Sequence, residues 1–317
     1  MSFFSGIWVP LVTPFQEGRV DDAALDALVR RYKRAGIAGF VALGTTGEPA
    51  TLDDREQETV LATVLAAADG LPVIAGVSGN HTAQVRERVE ALNALPIAGV
   101  LISAPYYVRP SQAGIIGHFT AVADASRTPV VLYDIPARTG VEMALPTLLE
   151  LAGHERIKAV KDCGGSPEKT RSLILDGRLD VLCGDDIDMF ATLCEGGSGA
   201  IAASAHLFPE RFVAMARLLR EGPLAEARTI WHGLIPLIRA AFAEPNPAPV
   251  KAALARQGFI RNEIRVPMTL ASQELEAVLG ELMLSKSYTS ADQTLPRFRR
   301  CMAPAPAMDS DSRSTLN

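Results

Sequence analysis

The sequence predicts a TIM (β/α)8 barrel with a C-terminal appendix of three helices. Eight short apolar runs recur at regular spacing over about 220 residues. Amphipathic stretches of helical period alternate with them, and the alternation stops after residue 222. A doubly wound sheet is the competing architecture, but it normally opens with a glycine-rich first turn. Here that turn reads Val12-Thr13-Pro14-Phe15 and carries no glycine.

The predicted strands are Trp8–Val12, Gly39–Leu43, Val73–Val77, Gly99–Ala104, Val130–Ile135, Ile157–Lys161, Asp180–Cys183 and Gly199–Ala203. Each is short, rich in β-branched residues and bounded by Gly, Pro or Asp, as buried parallel strands are. The first predicted helix, Asp21–Ala35, opens on two aspartates and puts Leu25, Leu28, Val29 and Tyr32 on one face. Asp53–Ala68, Thr82–Ala94, Ser111–Ala125, Leu145–Ala152, Ser166–Leu175, Asp188–Glu195 and Pro209–Leu219 follow the same pattern. Ser166-Pro167-Glu168 is a cap residue followed by Pro at the first helical position.

The barrel is expected over residues 1–222 and the appendix over 223–296. The appendix helices are Leu224–Ala243, Val250–Gln257 and Ser272–Leu284, too few for an independent core. Residues 297–317 are polar and Pro-rich, and disorder is expected there.

With 48% hydrophobic and 21% charged residues, the composition is that of a soluble globular protein. A net charge of −5 without a basic run gives no nucleic-acid footprint. No apolar stretch reaches membrane-spanning length and no secretory signal is visible, so the cytoplasm is the expected compartment. Cys163, Cys183, Cys194 and Cys301 form no C-x-x-C pair, and the five histidines show no H-x-x-H pattern. Reduced thiols and no metal are expected.

Reactive groups of such a barrel lie at the C-terminal ends of its strands. Strand six ends in Lys161, one of only six lysines in the 317 residues. A buried lysine is expected to have a depressed pKa and to act as a nucleophile, as in Schiff-base enzymes. An ion pair with a neighbouring strand-end carboxylate is the structural alternative. Ala159 shares the face of Lys161, whereas Lys158 is expected at a solvated strand start. Tyr133 ends the adjacent strand and could relay protons to an amine, or simply cap the core with its hydroxyl. The turn Gly44-Thr45-Thr46-Gly47 could cradle a carboxylate on its N–H groups, or be only a tight turn. Arg138 could clamp a substrate carboxylate, or be a solvated arginine. Gly196-Gly197-Ser198-Gly199 precedes strand eight rather than following it, which argues against a phosphate site.

Several of these segments occur together and in order. They are Gly44-Thr45-Thr46-Gly47-Glu48, Pro105-Tyr106-Tyr107 with Arg109-Pro110, Tyr133-Asp134-Ile135-Pro136 with Arg138-Thr139-Gly140, Lys161, and Glu244-Pro245-Asn246-Pro247. Over residues 5 to 290 the chain resembles the dihydrodipicolinate synthase and N-acetylneuraminate lyase family of pyruvate-dependent lyases. The resemblance implies that Lys161 forms an imine with pyruvate and that Tyr133, Thr45 and Tyr107 relay protons. It implies that Tyr107 reaches across a dimer interface and that Thr45 and Thr46 hold the pyruvate carboxylate. The backbone carbonyl of Ile201 is expected near the enamine, and Arg138 at the carboxylate of the second substrate. A homotetramer built as a dimer of dimers, needing no metal or organic cofactor, is implied as well.

The paired threonines, the paired tyrosines and the Arg138-Thr139-Gly140 loop favour the dihydrodipicolinate synthases within that family. The implied reaction condenses pyruvate with L-aspartate semialdehyde on the way to diaminopimelate and lysine. An aldolase or dehydratase acting on a 2-keto-3-deoxy sugar acid is the alternative. A regulatory barrel that binds a keto acid without turnover would not need the Lys161, Tyr133, Tyr107 and Thr45 set. Three departures from the synthase pattern stand out. Asp162-Cys163-Gly164-Gly165 replaces Glu-Ala-Thr/Ser-Gly, and Asp134 replaces Asn, both expected on the acceptor side. Pro49, Asp54, Gln57 and Gln84 occupy effector-site positions, although Asn80 and Tyr106 remain, so weak or absent inhibition by lysine is expected.

Overall fold

In the computed structural model, which describes residues 4–284, eight parallel strands close into a barrel. They are β1 (Gly6–Pro10), β2 (Gly39–Ala42), β3 (Val73–Val77), β4 (Gly99–Ser103), β5 (Val130–Asp134), β6 (Ile157–Asp162), β7 (Asp180–Cys183) and β8 (Gly199–Ile201). Trp8 pairs with Gly39 on one side and Ile201 on the other, which closes the ring. Eight helices follow the strands in turn: α1 (Asp22–Arg34), α2 (Asp54–Ala68), α3 (Thr82–Leu92), α4 (Gln112–Ala125), α5 (Leu145–Leu151), α6 (Pro167–Asp176), α7 (Met189–Cys194) and α8 (Pro209–Glu221). The sequence pattern does not single out the small hairpin of Phe15–Gln16 with Arg19–Val20, nor the helical turn Pro136–Thr139. Both are too short to show a period.

Local chemistry explains the helix starts. The Asp21 carboxylate accepts from Ala24 N–H, and Asp53 with Glu56 forms a reciprocal capping box. Ser166 caps α6 by accepting from Lys169 N–H, with Pro167 in the first turn. In α1 the buried residues are the predicted Leu25, Leu28, Val29 and Tyr32.

Strand alternation divides the interior in two. Trp8, Val41, Ile74, Leu101, Val131, Ala159, Leu182 and Ile201 fill the barrel lumen, with Phe4 edge-on to Trp8 at 5.6 Å. The opposite faces of the strands pack against the helices. Lys158 is half-buried rather than solvated. Val130 pairs with Ile157 and Val131 with Ala159, so the register passes over Lys158 and leaves it at a bulge.

Beyond Gly222 the chain forms α9 (Leu224–Ala241), α10 (Ala248–Arg256) and α11 (Gln273–Leu284). Trp231, Leu234, Leu237, Val250, Leu254 and Leu279 belong to the same apolar cluster as the helix-facing side of the barrel. The appendix therefore has no separate core. Its remaining part, 285–296, and the tail 297–317 lie outside the described residues. No helix among the described residues is long and apolar enough to cross a membrane.

Candidate active site

Lys161 and Tyr133 face each other at the C-terminal ends of β6 and β5, paired in register. Each is 6% exposed, and the Lys161 Nζ lies 4.2 Å from the centroid of the Tyr133 ring. The Tyr133 hydroxyl interacts with both Lys161 and the Thr45 side chain. Thr45 lies on a single 3-10 turn, Thr45–Gly47, placed directly after β2. That turn is flanked by Leu43 and Glu48, both in the left-handed backbone region at φ 58° and 54°. Such strain in non-glycine residues persists only where the surroundings hold it, and it marks functional turns.

The appendix holds that turn from outside. Asn246 donates from Nδ2 to the Thr46 hydroxyl at 2.9 Å, and Lys251 donates to Glu48 Oε1 at 2.5 Å. Arg265 donates to Glu48 from its backbone N–H and pairs with Glu56 through its guanidinium. Sequence reasoning quoted Glu244-Pro245-Asn246-Pro247 as a motif but assigned Asn246 no partner, and it missed Lys251. Their contacts span about 200 residues of chain, and no local pattern announces them.

Three carboxylates stand at or just beyond the neighbouring strand ends, and each has hydrogen-bond partners of its own. Asp134 pairs with Lys169 at 2.7 Å. Asp162 accepts from Gly164 N–H at 2.8 Å and from the Thr170 hydroxyl at 2.6 Å. Asp186 accepts from the backbone N–H and hydroxyl of Ser204 at 2.7 and 2.5 Å. Among the described residues no ion pair joins the Lys161 ammonium to a strand-end carboxylate, and it lies over the Tyr133 ring.

The expectation that burial lowers the pKa of Lys161 needs correction. Burial does favour the neutral amine, but the hydrogen bond with Tyr133 and the nearby Asp186 carboxylate favour the ammonium, and the lysine is held above its ordinary value. Tyr133 is also held above its ordinary value, chiefly by burial and against the pull of Lys161. At neutral pH the pair keeps both protons, so the lysine must lose one before it can attack a carbonyl. Cys163 packs against Gly184 beside the Lys161 stem, where no Cβ would fit. Burial pushes its thiol up to about 12, so it is a neutral wall rather than a nucleophile.

The remaining predicted residues are placed as follows. Thr46 is buried in the turn after β2, and Ile201 ends β8 facing the lumen. Arg138 lies exposed on the helical turn Pro136–Thr139 beyond β5. Tyr107 is 88% exposed at φ 68°, on the loop after β4, and within this single chain it is not brought to Lys161. Its backbone N–H donates to Thr139 O at 3.1 Å, and Arg109 Nε to Gly140 O at 2.9 Å, which zips the two loops together. Asp134 and Asp162, expected on the acceptor side, turn out to face the helices. Side chains alternate along a strand, so inward-facing Tyr133 and Lys161 force their successors outward.

A closed barrel with a buried strand-end lysine stacked on a tyrosine defines a lyase of the lysine Schiff-base class. The chain belongs to the dihydrodipicolinate synthetase family, whose model matches residues 3–285. The 4-hydroxy-tetrahydrodipicolinate synthase 2 of Clostridium acetobutylicum is 36% identical over 282 residues, 88% of this chain and 99% of that one. The 4-hydroxy-tetrahydrodipicolinate synthase of Hyphomonas neptunium is 39% identical over 285 residues, covering 88% and 97%. The crystal structure of dihydrodipicolinate synthase from Aquifex aeolicus superposes with a TM-score of 0.87 at 33% identity, covering 91% of this chain and all of that one.

Proposed function

We infer that the chain catalyses the 4-hydroxy-tetrahydrodipicolinate synthase reaction, the condensation of pyruvate with L-aspartate semialdehyde. The observation that carries this reading is the stacking of Lys161 on Tyr133, with Thr45 at the phenol, in a barrel of this family. With its proton removed, the Lys161 amine attacks C2 of pyruvate, and the carbinolamine loses water to give an imine. The protonated imine draws electrons from C3, which loses a proton and becomes the nucleophilic carbon of an enamine. That carbon adds to the aldehyde, whose oxygen takes up a proton to become the 4-hydroxyl. The amino group of the semialdehyde then displaces Lys161 from the imine carbon, which closes the ring and frees the lysine. The lysine imine itself is the electron sink, so the mechanism needs no further cofactor.

The other residues take roles that suit their positions. Tyr133 exchanges protons with the carbinolamine oxygen, and Thr45 passes them on. The Thr45–Thr46 turn receives the pyruvate carboxylate on its N–H groups, and the Ile201 carbonyl lies beside the enamine. Arg138, exposed beyond β5, takes the carboxylate of the semialdehyde. Tyr107 completes the relay from a second copy of the chain, which accounts for a tyrosine left 88% exposed in a strained conformation. A homotetramer built from such dimers, working in the cytoplasm, is the corresponding assembly.

The departures at Asp134 and Asp162 lent weight to a 2-keto-3-deoxy sugar acid as substrate. Both carboxylates point away from the lumen and make hydrogen bonds within the protein. The test is a steady-state comparison of L-aspartate semialdehyde, with pyruvate, against 2-keto-3-deoxy sugar acids. Turnover is expected to be at least about a hundredfold more efficient with the semialdehyde. Preference for a sugar acid would overturn the assignment.

A further inference from the structure

Lys169 is buried in α6, with its side chain 5% exposed, and the synthase reaction assigns it no part. Its Nζ donates to Asp134 Oδ2 at 2.7 Å, to Glu142 Oε1 at 2.7 Å and to the Met143 carbonyl at 3.4 Å. The other oxygen of Asp134 accepts from Met143 N–H at 3.1 Å. Glycine at 164 leaves room for this cluster. A Cβ there would stand 2.5 Å from Lys169 Nζ and 2.9 Å from Asp134 Oδ2. Two departures from the synthase pattern, Asp134 and Gly164, are therefore in one structural unit with Lys169 at its centre.

What this unit holds is the segment from Pro136 to Met143. That segment starts at the end of β5, carries Arg138, and returns at Glu142 and Met143 to the lysine. On its far side it accepts Tyr107 N–H and the Arg109 guanidinium. Gln112 of α4 donates to the Glu142 carbonyl at 2.9 Å and so grips the same point from the opposite flank. A buried ion pair adds little net stability, because its attraction is spent against desolvation. It does fix geometry, since a charge removed from water must keep its partners.

We propose that Asp134, Lys169 and Glu142 are positioning residues that set the Pro136–Met143 segment, and through it Arg138 and Tyr107, for capture of the second substrate. The inference rests on the synthase reading for the identity of that substrate. Imine formation at Lys161 lies on the inward face of the same strands and is not predicted to depend on the triad.

The test uses the full chain and three variants. Glu142→Ala and Glu142→Gln loosen the tether at a partly exposed carboxylate, where neither threatens folding. Asp134→Asn keeps the shape and the acceptor for Met143 N–H while removing the buried charge. For Glu142→Ala and Asp134→Asn, KM for L-aspartate semialdehyde should rise about tenfold. The effect of Glu142→Gln should be smaller, since its amide oxygen can still accept from Lys169. KM for pyruvate and the rate of borohydride trapping should stay within about twofold, because the imine centre is untouched. Backbone hydrogen exchange at residues 136–143 should accelerate while that of β6 does not. Equal changes in both substrates, or no change in semialdehyde KM and exchange, would overturn the proposal. If the unaltered protein does not turn over the semialdehyde, the functional reading fails, and exchange at 136–143 alone decides the positioning role.

Discussion

Lys251 and Glu48 form a buried ion pair, 2.5 Å from Nζ to Oε1, with side chains 1% and 2% exposed. One partner comes from the appendix and the other from the turn that carries Thr45 and Thr46. Phe15 of the hairpin lies against the ammonium at 4.2 Å, so the pair is closed off by an aromatic ring. Lys251 has its pKa lowered, since burial outweighs the pull of Glu48. The appendix is thus joined to the candidate active site through charge, not only through its apolar face.

Removing one member should be costly. Lys251→Met leaves a buried carboxylate in a left-handed turn, and should destabilise the fold by about 3–5 kcal/mol in urea denaturation. The double variant Lys251→Met with Glu48→Gln should recover much of that loss. A loss in the double variant equal to or greater than that in the single one would show that the pair is not coupled.

Two buried titratable groups, His206 and Asp186, act on acid stability in opposite directions. His206 donates from Nδ1 to Ala203 O at 2.8 Å and accepts Val12 N–H on Nε2 at 3.2 Å, so its folded form is neutral. Burial lowers its pKa from 6.5 to about 4. Between those values the unfolded chain binds more protons, and stability falls as the pH drops, by up to about 3 kcal/mol. Asp186 acts in the opposite sense. Burial raises it from 3.8 to about 6, so the folded chain binds more protons in that window and stability falls as the pH rises. The two slopes oppose each other between pH 4 and 6. Asp186→Asn should expose the histidine slope, with a urea midpoint climbing more steeply from pH 4.5 to 6 than in the unaltered protein. His206→Gln should do the reverse.

Lysine should inhibit weakly or not at all. Gln57 donates to the carbonyls of Pro49 and Leu52 at 3.2 and 3.1 Å, and its Oε1 accepts from Arg88. Arg88 also lies 3.6 Å from Asp54, and His81 accepts from Gln84 N–H. Gln57, Arg88 and Asp54 are thus engaged within the protein instead of standing ready for an amino acid, and Gln84 contributes its backbone N–H to the helix cap. Initial rates across a lysine titration check this, and half-maximal inhibition at physiological lysine levels would contradict it.

Barrel, strand order and the inward direction of Lys161 were legible because they depend on local period and on strand alternation. Val73–Val77 and Asp180–Cys183 were read to the residue, since each is bounded by breakers. Thr45, Tyr133 and Lys161, three strand-end positions, meet in the structure as their places in the chain implied. Two things were not legible. The charge state of Lys161 depends on Tyr133 and Asp186, which come from two other strand ends. The direction of Asp134 and Asp162 followed from the same alternation that placed Lys161, but their partners Lys169 and Thr170 lie on a helix whose rotation no sequence period specifies. Lys169 did leave one trace, as a rare lysine in an arginine-rich chain.

The central claim is that Lys161 forms an imine with pyruvate, and borohydride reduction tests it directly. Incubation with pyruvate and borohydride, followed by peptide mass spectrometry, should place a stable adduct on Lys161 and on no other lysine. Lys161→Ala should carry none. An unmodified Lys161, or an adduct of equal yield in the alanine variant, would contradict the account.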